Sequence, residues 1–371
     1  MKAIGIIGEY NPFHNGHAYL LEKAMKATEA KVCVSVMSGD FTQRGTPAVY
    51  DKWDRAQTAV QNGINVVCEL PTVFACNSAE YFARGAVRIL EGFGCIDYLA
   101  FGSESGDVDA LRNASRIMVR NEVYIEQIAK ELLKHGNSYP KARAMAARQL
   151  APELDEALIR EPNNILAIEY LKHIKNMRPV TIKRRGDSYH ESGAKQREIL
   201  TEQDPNRFEH MDQAYFSLVS ARILQSDNEQ LEEIFSAGEG LGNKLKNEIR
   251  YVSSTEQLIQ RIKSKAYTRT RISRLLTQVL LGITEDTVRN AKPYIRLLAL
   301  DDVGAKFIKE MKKNDSCTIP VITNINREKD DYPEIATTLA TDILASDMYN
   351  IITRNDLYDY SDYIKAPFIG I

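Results

Sequence analysis

Two histidines three residues apart, His14 and His17, close the run Glu9-Tyr10-Asn11-Pro12-Phe13-His14-Asn15-Gly16-His17. Imidazoles at this spacing beside free backbone amides can hold non-bridging phosphate oxygens while charge develops on them. The flanking residues suit an anion site. Lys2 to Gly8 is a short apolar run containing Ile4, Ile6 and Ile7, which reads as a buried parallel strand. Beyond the turn, apolar residues recur at Ala18, Leu20, Leu21 and Met25 with helical spacing. That spacing places His17 in the first turn of a helix, with Asn15 as its N-cap. Strand, tight turn and helix N-terminus together favour phosphate, through unpaired N–H groups and the helix dipole. The plain alternative is two polar residues at a helix start.

The elements needed to position such a site follow in order. Apolar, β-branched runs at 31–37, 64–70 and 96–101 read as strands, and helices opening at Asp51 and Ser78 alternate with them. This alternation predicts an α/β fold, a Rossmann-like, doubly wound parallel sheet covered on both faces. Ligands then bind beyond the strand C-termini where strand order reverses. His14, His17, Asp40, Arg44 and Gly102 all fall just past such ends, Asp40 and Arg44 in a polar, glycine-rich loop over 38–47. Residues 107–150 read as helix, with a shorter helix after Pro152 and another opening at Glu161-Pro162 with Asn163 or Asn164 as its cap. Val180 to Arg184 is strand-like and runs into a basic loop from Arg185 to His190. Past residue 195 helical spacing dominates, and no strand is expected before Ile319. The expected division is therefore 1–195 as a nucleotide-binding domain, 196–315 as a helical domain and 316–371 as a mixed C-terminal segment, with a strand over Thr318–Ile322.

Composition sets the class. With 371 residues, 44% apolar and 26% charged, the chain is ordinary globular protein. Its five cysteines form no C-x-x-C pair, so reduced thiols, no structural zinc and a cytoplasmic location are expected. No signal peptide is expected before the first strand, and no apolar run approaches membrane-spanning length. The net charge of −2 conceals an asymmetry. Over 241–274, nine basic residues, among them Lys244, Lys246, Arg250, Lys265, Arg269, Arg271 and Arg274, face only two acids, a net of +7. Such a run is commonly a solvated helix face. Here Tyr267 and two threonine hydroxyls lie among the arginines, which favours RNA as a polyanionic partner.

H-x-G-H behind an N-terminal strand is the signature of the nucleotidylyltransferase superfamily. A narrower resemblance rests on more residues: G-x-x-x-E-Y-N-P-F-H-N-G-H (Gly5 to His17), M-S-G-D-F-T-Q-R-G-T-P-A (Met37 to Ala48), E-L-P (Glu69 to Pro71) and N-S-A-E-Y-F-A-x-G-A (Asn77 to Ala86). It continues through F-G-S-E (Phe101 to Glu104), P-N-N-I-L (Pro162 to Leu166), T-I-K-R (Thr181 to Arg184) and Y-T-R-T-R-I-S-R (Tyr267 to Arg274). Together these resemble the bacterial tRNA(Met) cytidine acetate ligases, over essentially the whole chain. The resemblance implies two steps. Acetate attacks the α-phosphorus of ATP to give acetyl-adenylate, and the N4 amine of the wobble cytidine of elongator tRNA(Met) then takes the acetyl group. It also implies an ATP site made of Ile7, Gly8, Glu9, Tyr10, Asn11, Pro12, Phe13, His14, Asn15, Gly16, His17, Ala18, Tyr19 and Leu20, with Gly102, Asn163 and either Arg184 or Arg185. His14, His17, Asp40 and Arg44 are the candidate catalytic residues. Asp40 stands where asparagine also serves in the family. Arg44 and Lys52 are candidates to escort acetate or pyrophosphate. Mg²⁺ is expected with ATP, although no carboxylate cage is visible and the ion often binds through substrate phosphates. No protein partner is evident. A small-molecule adenylyltransferase and a non-catalytic nucleotide- and RNA-binding factor are the competing readings.

Overall fold

The structure is a computed structural model describing residues 1–184, 193–238, 240–264 and 267–370. Arg185, the basic loop it opens, and Lys265 lie outside the described residues. The first half builds the expected alternation: β1 (Ala3–Gly8), α1 (Asn15–Thr28), β2 (Val32–Ser38), α2 (Lys52–Gln61), β3 (Val66–Leu70), α3 (Ala79–Gly92) and β4 (Tyr98–Ser103). All seven residues of β2, Val-Cys-Val-Ser-Val-Met-Ser, are buried, as a central parallel strand covered by helices on both faces requires. The helices α4 (Val108–Arg120), α5 (Glu122–Lys134), α6 (Tyr139–Leu150) and α7 (Pro162–His173) then lead into β5 (Arg178–Lys183).

Strand order is β5-β4-β1-β2-β3, all parallel. The order reverses between β1 and β4, which pair directly (Ile4 opposite Tyr98, Ile6 opposite Ala100). A crevice at the C-terminal ends of these two strands is therefore the place for a ligand.

The second half departs from expectation. α8 (Gly193–Gln203), α9 (Pro205–Gln225), α10 (Leu241–Glu248), α11 (Thr255–Ile262) and α12 (Arg269–Leu281) are helical as read, but β6 (Ile295–Leu300) follows them and pairs antiparallel with β3. The absence of strands before Ile319 is thus corrected. Ile-Arg-Leu-Leu-Ala-Leu is a six-residue run buried throughout, and periodicity cannot tell so short a run from a helix segment. After α13 (Asp302–Lys313), the strand expected over Thr318–Ile322 shrinks to β7 (Val321–Ile322). Then come α14 (Ala336–Thr353) and β8 (Phe368–Ile369), and β7 and β8 both pair with β6. The chain's last third therefore belongs to the same sheet as its first. Cys33, Cys68 and Cys76 are buried and none of the five thiols is bridged. Among the described residues no helix is long and apolar enough to cross a membrane.

Candidate active site

The histidine pair stands just past β1. His14, not Asn15, is the N-cap of α1: its Nδ1 accepts the Gly16 N–H at 3.0 Å. His17 reciprocates, its Nδ1 accepting the His14 N–H at 3.2 Å. An imidazole nitrogen that accepts carries no proton, so each neutral ring bears its donor hydrogen on Nε2, across the ring from the accepting nitrogen. The rings stack with centroids 3.9 Å apart. A Cβ on Gly16 would come within 2.8 Å of the His14 ring, which accounts for the glycine between the histidines. Tyr10 is buried, donates to or accepts from Ser35 Oγ at 2.8 Å, and presents its ring edge to His17 at 4.9 Å. Phe13 covers the same imidazole at 5.3 Å.

Burial, then the charges of Arg184 and Arg197, push His14 down to about 4. Burial, His14 and Arg184 lower His17 as well. Both rings are neutral donors at pH 7. A histidine depressed below its ordinary 6.5 favours the fold above that pH and withdraws the contribution as pH falls towards 4. The His14 ring resonances of the free protein should accordingly titrate near pH 4 by NMR; a midpoint near 6.5 contradicts the assigned surroundings.

Two arginines act on this pair, and a third acts on one of them. Arg184 follows β5, its N–H bound to the Ser103 carbonyl at 2.9 Å and its Nη1 to Asn163 Oδ1 at 3.3 Å. Arg197, on α8, donates from Nη1 to the Asn11 carbonyl at 2.7 Å. Its charge is disfavoured by burial and by Arg44 more than Glu9 supports it. The start of α8 lies against the site: a Cβ on Gly193 would be 3.3 Å from Arg197 Nη1 and 3.6 Å from His14 Nε2. Arg44 is exposed and disfavours the charge of Arg197. Gly102 is the penultimate residue of β4, and a Cβ there would meet the Arg184 side chain only at 3.4 Å. Among the described residues nothing forbids a side chain at Gly102, so a need for bare backbone there would come from a ligand.

Other expectations are corrected. Asn163 and Asn164 do not cap α7. The Glu104 carboxylate occupies that helix start, accepting from Asn163 Nδ2 at 2.6 Å and from the Asn163 and Asn164 N–H groups at 3.3 and 2.9 Å, since an ionised carboxylate is the stronger acceptor. Asp40 is no free base. It is 3% exposed, with Oδ1 taking the Lys52 N–H at 2.8 Å and Oδ2 the Ser346 hydroxyl at 2.7 Å. Lys52 is not solvated, being fully buried with Nζ on Glu69 at 2.9 Å and on Asp362 at 2.7 Å.

Within 7–20, Glu9 Oε1 holds the Gln43 N–H at 2.7 Å and Asn11 Oδ1 the Val49 N–H at 2.8 Å, tying the turn to the 38–50 loop. Ile7, Pro12, Ala18, Tyr19 and Leu20 are half-buried, while Asn15 and Gly16 are exposed. Arg55, which the sequence reading passed over, is buried and binds the carbonyls of Glu9 (2.7 Å), Ser38 (3.0 Å), Gly39 and Tyr50 (2.9 Å). It fixes the ends of β1 and β2 relative to each other. Arg197 was missed too, although a glycine-opened helix carrying an arginine in its first turns was legible.

The model of the HIGH Nucleotidyl Transferase family matches residues 1–201 and 193–362. The chain is 34% identical over 409 residues to the tRNA(Met) cytidine acetate ligase of Thermoanaerobacter sp. (strain X514), with 100% of both chains covered. It is 35% identical over 402 residues to that of Caldicellulosiruptor saccharolyticus, covering 99% of this chain and 97% of the relative. The chain belongs to the tRNA(Met) cytidine acetate ligase family. Among solved structures it is similar to Thermotoga maritima TmcAL bound with alpha-thio ATP, at TM-score 0.88 and 27% identity over 100% of this chain and 99% of that one.

The basic stretch of this ligase-family chain divides in two. Lys244 donates to the Ile262 carbonyl at 3.0 Å, and Lys246 to those of Ile223 (2.9 Å), Leu224 (2.8 Å) and Ser226. Lys246 thus closes the C-terminal end of α9, and both lysines are committed to structure. Arg250 is exposed, Arg269 pairs with Glu256, and the Arg271 guanidinium lies 4.9 Å from the Tyr267 ring centroid. Arg274 reaches the Gln43 carbonyl at 3.5 Å. Here α12 docks on the 38–50 loop, Ser273 and Thr277 hydroxyls donating to the Gly45 carbonyl at 2.7 and 3.2 Å. Gly45 has φ +72, and a Cβ on it would fall 2.3 Å from the Arg274 nitrogen. The same loop binds Glu9, so one loop separates the arginines of α12 from the histidine turn.

Proposed function

We propose that this chain is an ATP-dependent acetate ligase that activates acetate as acetyl-adenylate and acetylates N4 of the wobble cytidine of elongator tRNA(Met), giving N4-acetylcytidine. The observation that carries the proposal is the neutral histidine pair, its donors on Nε2, beside Arg184 and Arg197 at the point where strand order reverses. Full-length likeness to the acetate ligases supports it. An acetate oxygen attacks the α-phosphorus, the bond to the bridging oxygen breaks, and pyrophosphate leaves with the electron pair. His14 and His17 donate to the oxygens on which charge builds. Arg184, Arg197 and Arg44 offset the charge of the polyphosphate and of the incoming carboxylate, so catalysis is chiefly positioning and electrostatics. The cytidine amine then attacks the acetyl carbon, AMP departs with the carbon–oxygen electron pair, and the amine sheds a proton.

Magnesium accompanying ATP would be held through the nucleotide's own phosphates, since among the described residues no group of three or more His, Cys, Asp or Glu is placed to hold a metal. A small-molecule adenylyltransferase would have no use for arginines brought beside the site on α12. Exchange of labelled pyrophosphate into ATP should require acetate, and acetylated product should form only when tRNA is added. Exchange that is indifferent to acetate overturns the proposal.

A companion prediction concerns α12. Reversing charge at Arg269 and Arg271 together should leave exchange intact and slow tRNA acetylation by about tenfold or more, with a shallower salt dependence. An equal fall in both activities would make the arginines structural.

A further inference from the structure

The F-G-S-E run places a glutamate, Glu104, immediately beyond β4, which ends at Ser103, and its carboxylate has no part in the chemistry above. Its contacts are specific. Oε1 accepts both the side-chain Nδ2 (2.6 Å) and the backbone N–H (3.3 Å) of Asn163, and Oε2 accepts the N–H of Asn164 at 2.9 Å. Asn164 returns the contact through Oδ1, which takes the Ser105 N–H at 3.1 Å. The turn after β4 and the start of α7 are thereby clasped, with a negative group where the helix dipole favours one.

The chemistry of the clasp decides the orientation of Asn163. A carboxylate can only accept, so it takes the amide's NH₂ end, and the oxygen must then face the other way. There it meets Arg184, which can only donate, at 3.3 Å. Arg184 is also the cation that acts on both His14 and His17. We propose that Glu104 is a positioning residue of the ATP site: it fixes the sense of the Asn163 carboxamide, and through it holds the Arg184 guanidinium beside the histidine pair. The inference rests on the ATP-binding reading given above.

In Glu104→Gln, one acceptor becomes a donor that confronts the N–H groups of α7. Nothing then prevents the Asn163 amide from turning its NH₂ towards Arg184, which drives the guanidinium away. The experiment is calorimetric titration with ATP, supported by the KM for ATP in acetate-dependent exchange. Glu104→Gln should weaken ATP binding about tenfold, the scale of a hydrogen bond to a charged group, and raise KM more than it lowers kcat. Glu104→Asp, which keeps two acceptors, should recover part of the affinity. In an Arg184→Ala background the Glu104→Gln change should add less than about twofold, because the route runs through Arg184. A helix cap with no positioning role would lower the melting temperature and leave the ATP affinity alone. Unchanged affinity, or losses that multiply in the double variant, overturns the proposal. Should Glu104→Gln fail to fold, Asn163→Ala leaves the carboxylate on the α7 backbone and removes the relay, and the Arg184→Ala background separates that loss from any direct contact of Asn163 with ATP. The same tenfold loss, absent in the Arg184→Ala background, is expected, and parental affinity overturns the inference. A parent protein that does not bind ATP instead defeats the underlying functional reading.

Discussion

Replacing His14 by alanine should cut acetate-dependent pyrophosphate exchange by about 10²–10³-fold, the loss found when a preorganised donor to a developing oxyanion is removed. Two losses occur in this variant and must be told apart. His14 Nδ1 caps α1 through the Gly16 N–H, and losing a cap costs about 1 kcal/mol of stability. The Nε2–H is the part to which catalysis is assigned. Asparagine is a good N-cap residue that has no donor in the position of Nε2, so His14→Asn should restore the melting temperature without restoring exchange. If His14→Asn exchanges at the parental rate, the imidazole is only a cap and the assigned chemistry is wrong. The pH profile adds a second check. Because burial and Arg184 keep the free His14 near 4, its neutral donor persists well into mild acid. Bound polyphosphate would favour the protonated ring, so nucleotide binding near pH 5 should take up a proton, measurable as a buffer-dependent heat.

How far the sequence foretold this site depends on distance along the chain. The histidine turn was legible because every group that builds it is local: β1, the turn and the start of α1 are contiguous, and the apolar spacing changes period between them. The parallel half of the sheet was legible for the same reason. Asn15 was mistaken for the cap because histidine is a rare one, and only the ring geometry shows Nδ1 on the Gly16 amide. Long-range partners were invisible. Asp40 looks catalytic from its place in a polar loop, but Ser346 lies 306 residues away. Lys246 looks like part of an RNA surface, yet it caps α9, and a lysine turned onto carbonyls reads the same as one turned to water. β6 was lost among helices because its partner β3 precedes it by more than two hundred residues. Charge and hydropathy are properties of a residue; burial is a property of its neighbours.

Lys52 gives the largest stability prediction. Its ammonium is fully buried and holds Glu69 at 2.9 and 3.0 Å and Asp362 at 2.7 Å, with Asp40 at 4.0 Å. Substituting Lys52 by methionine preserves much of the volume and leaves these carboxylates with no ammonium between them, which should cost about 3–5 kcal/mol. The buried acids make that loss depend on pH. Burial already pushes the Glu69 carboxyl up to about 8 against the pull of Lys52, and Asp40 is raised by the same cause. An acid raised in the fold binds its proton more tightly there than in the unfolded chain, so its contribution is greatest at low pH and is lost as pH rises above its ordinary value near 4.5. Without Lys52 the acids rise further, and the variant should lose stability more steeply than the parent between pH 5.5 and 8. Denaturant unfolding at those two pH values measures both effects, and a loss below about 1 kcal/mol at pH 8 would show that the cluster does not depend on its lysine. Asp362 reaches Lys52 from 310 residues away, and its carbonyl also accepts from Arg296 on β6 at 3.2 Å. The same substitution should therefore free the chain after α14, so that limited proteolysis cuts within 354–367 in the variant before it does in the parent.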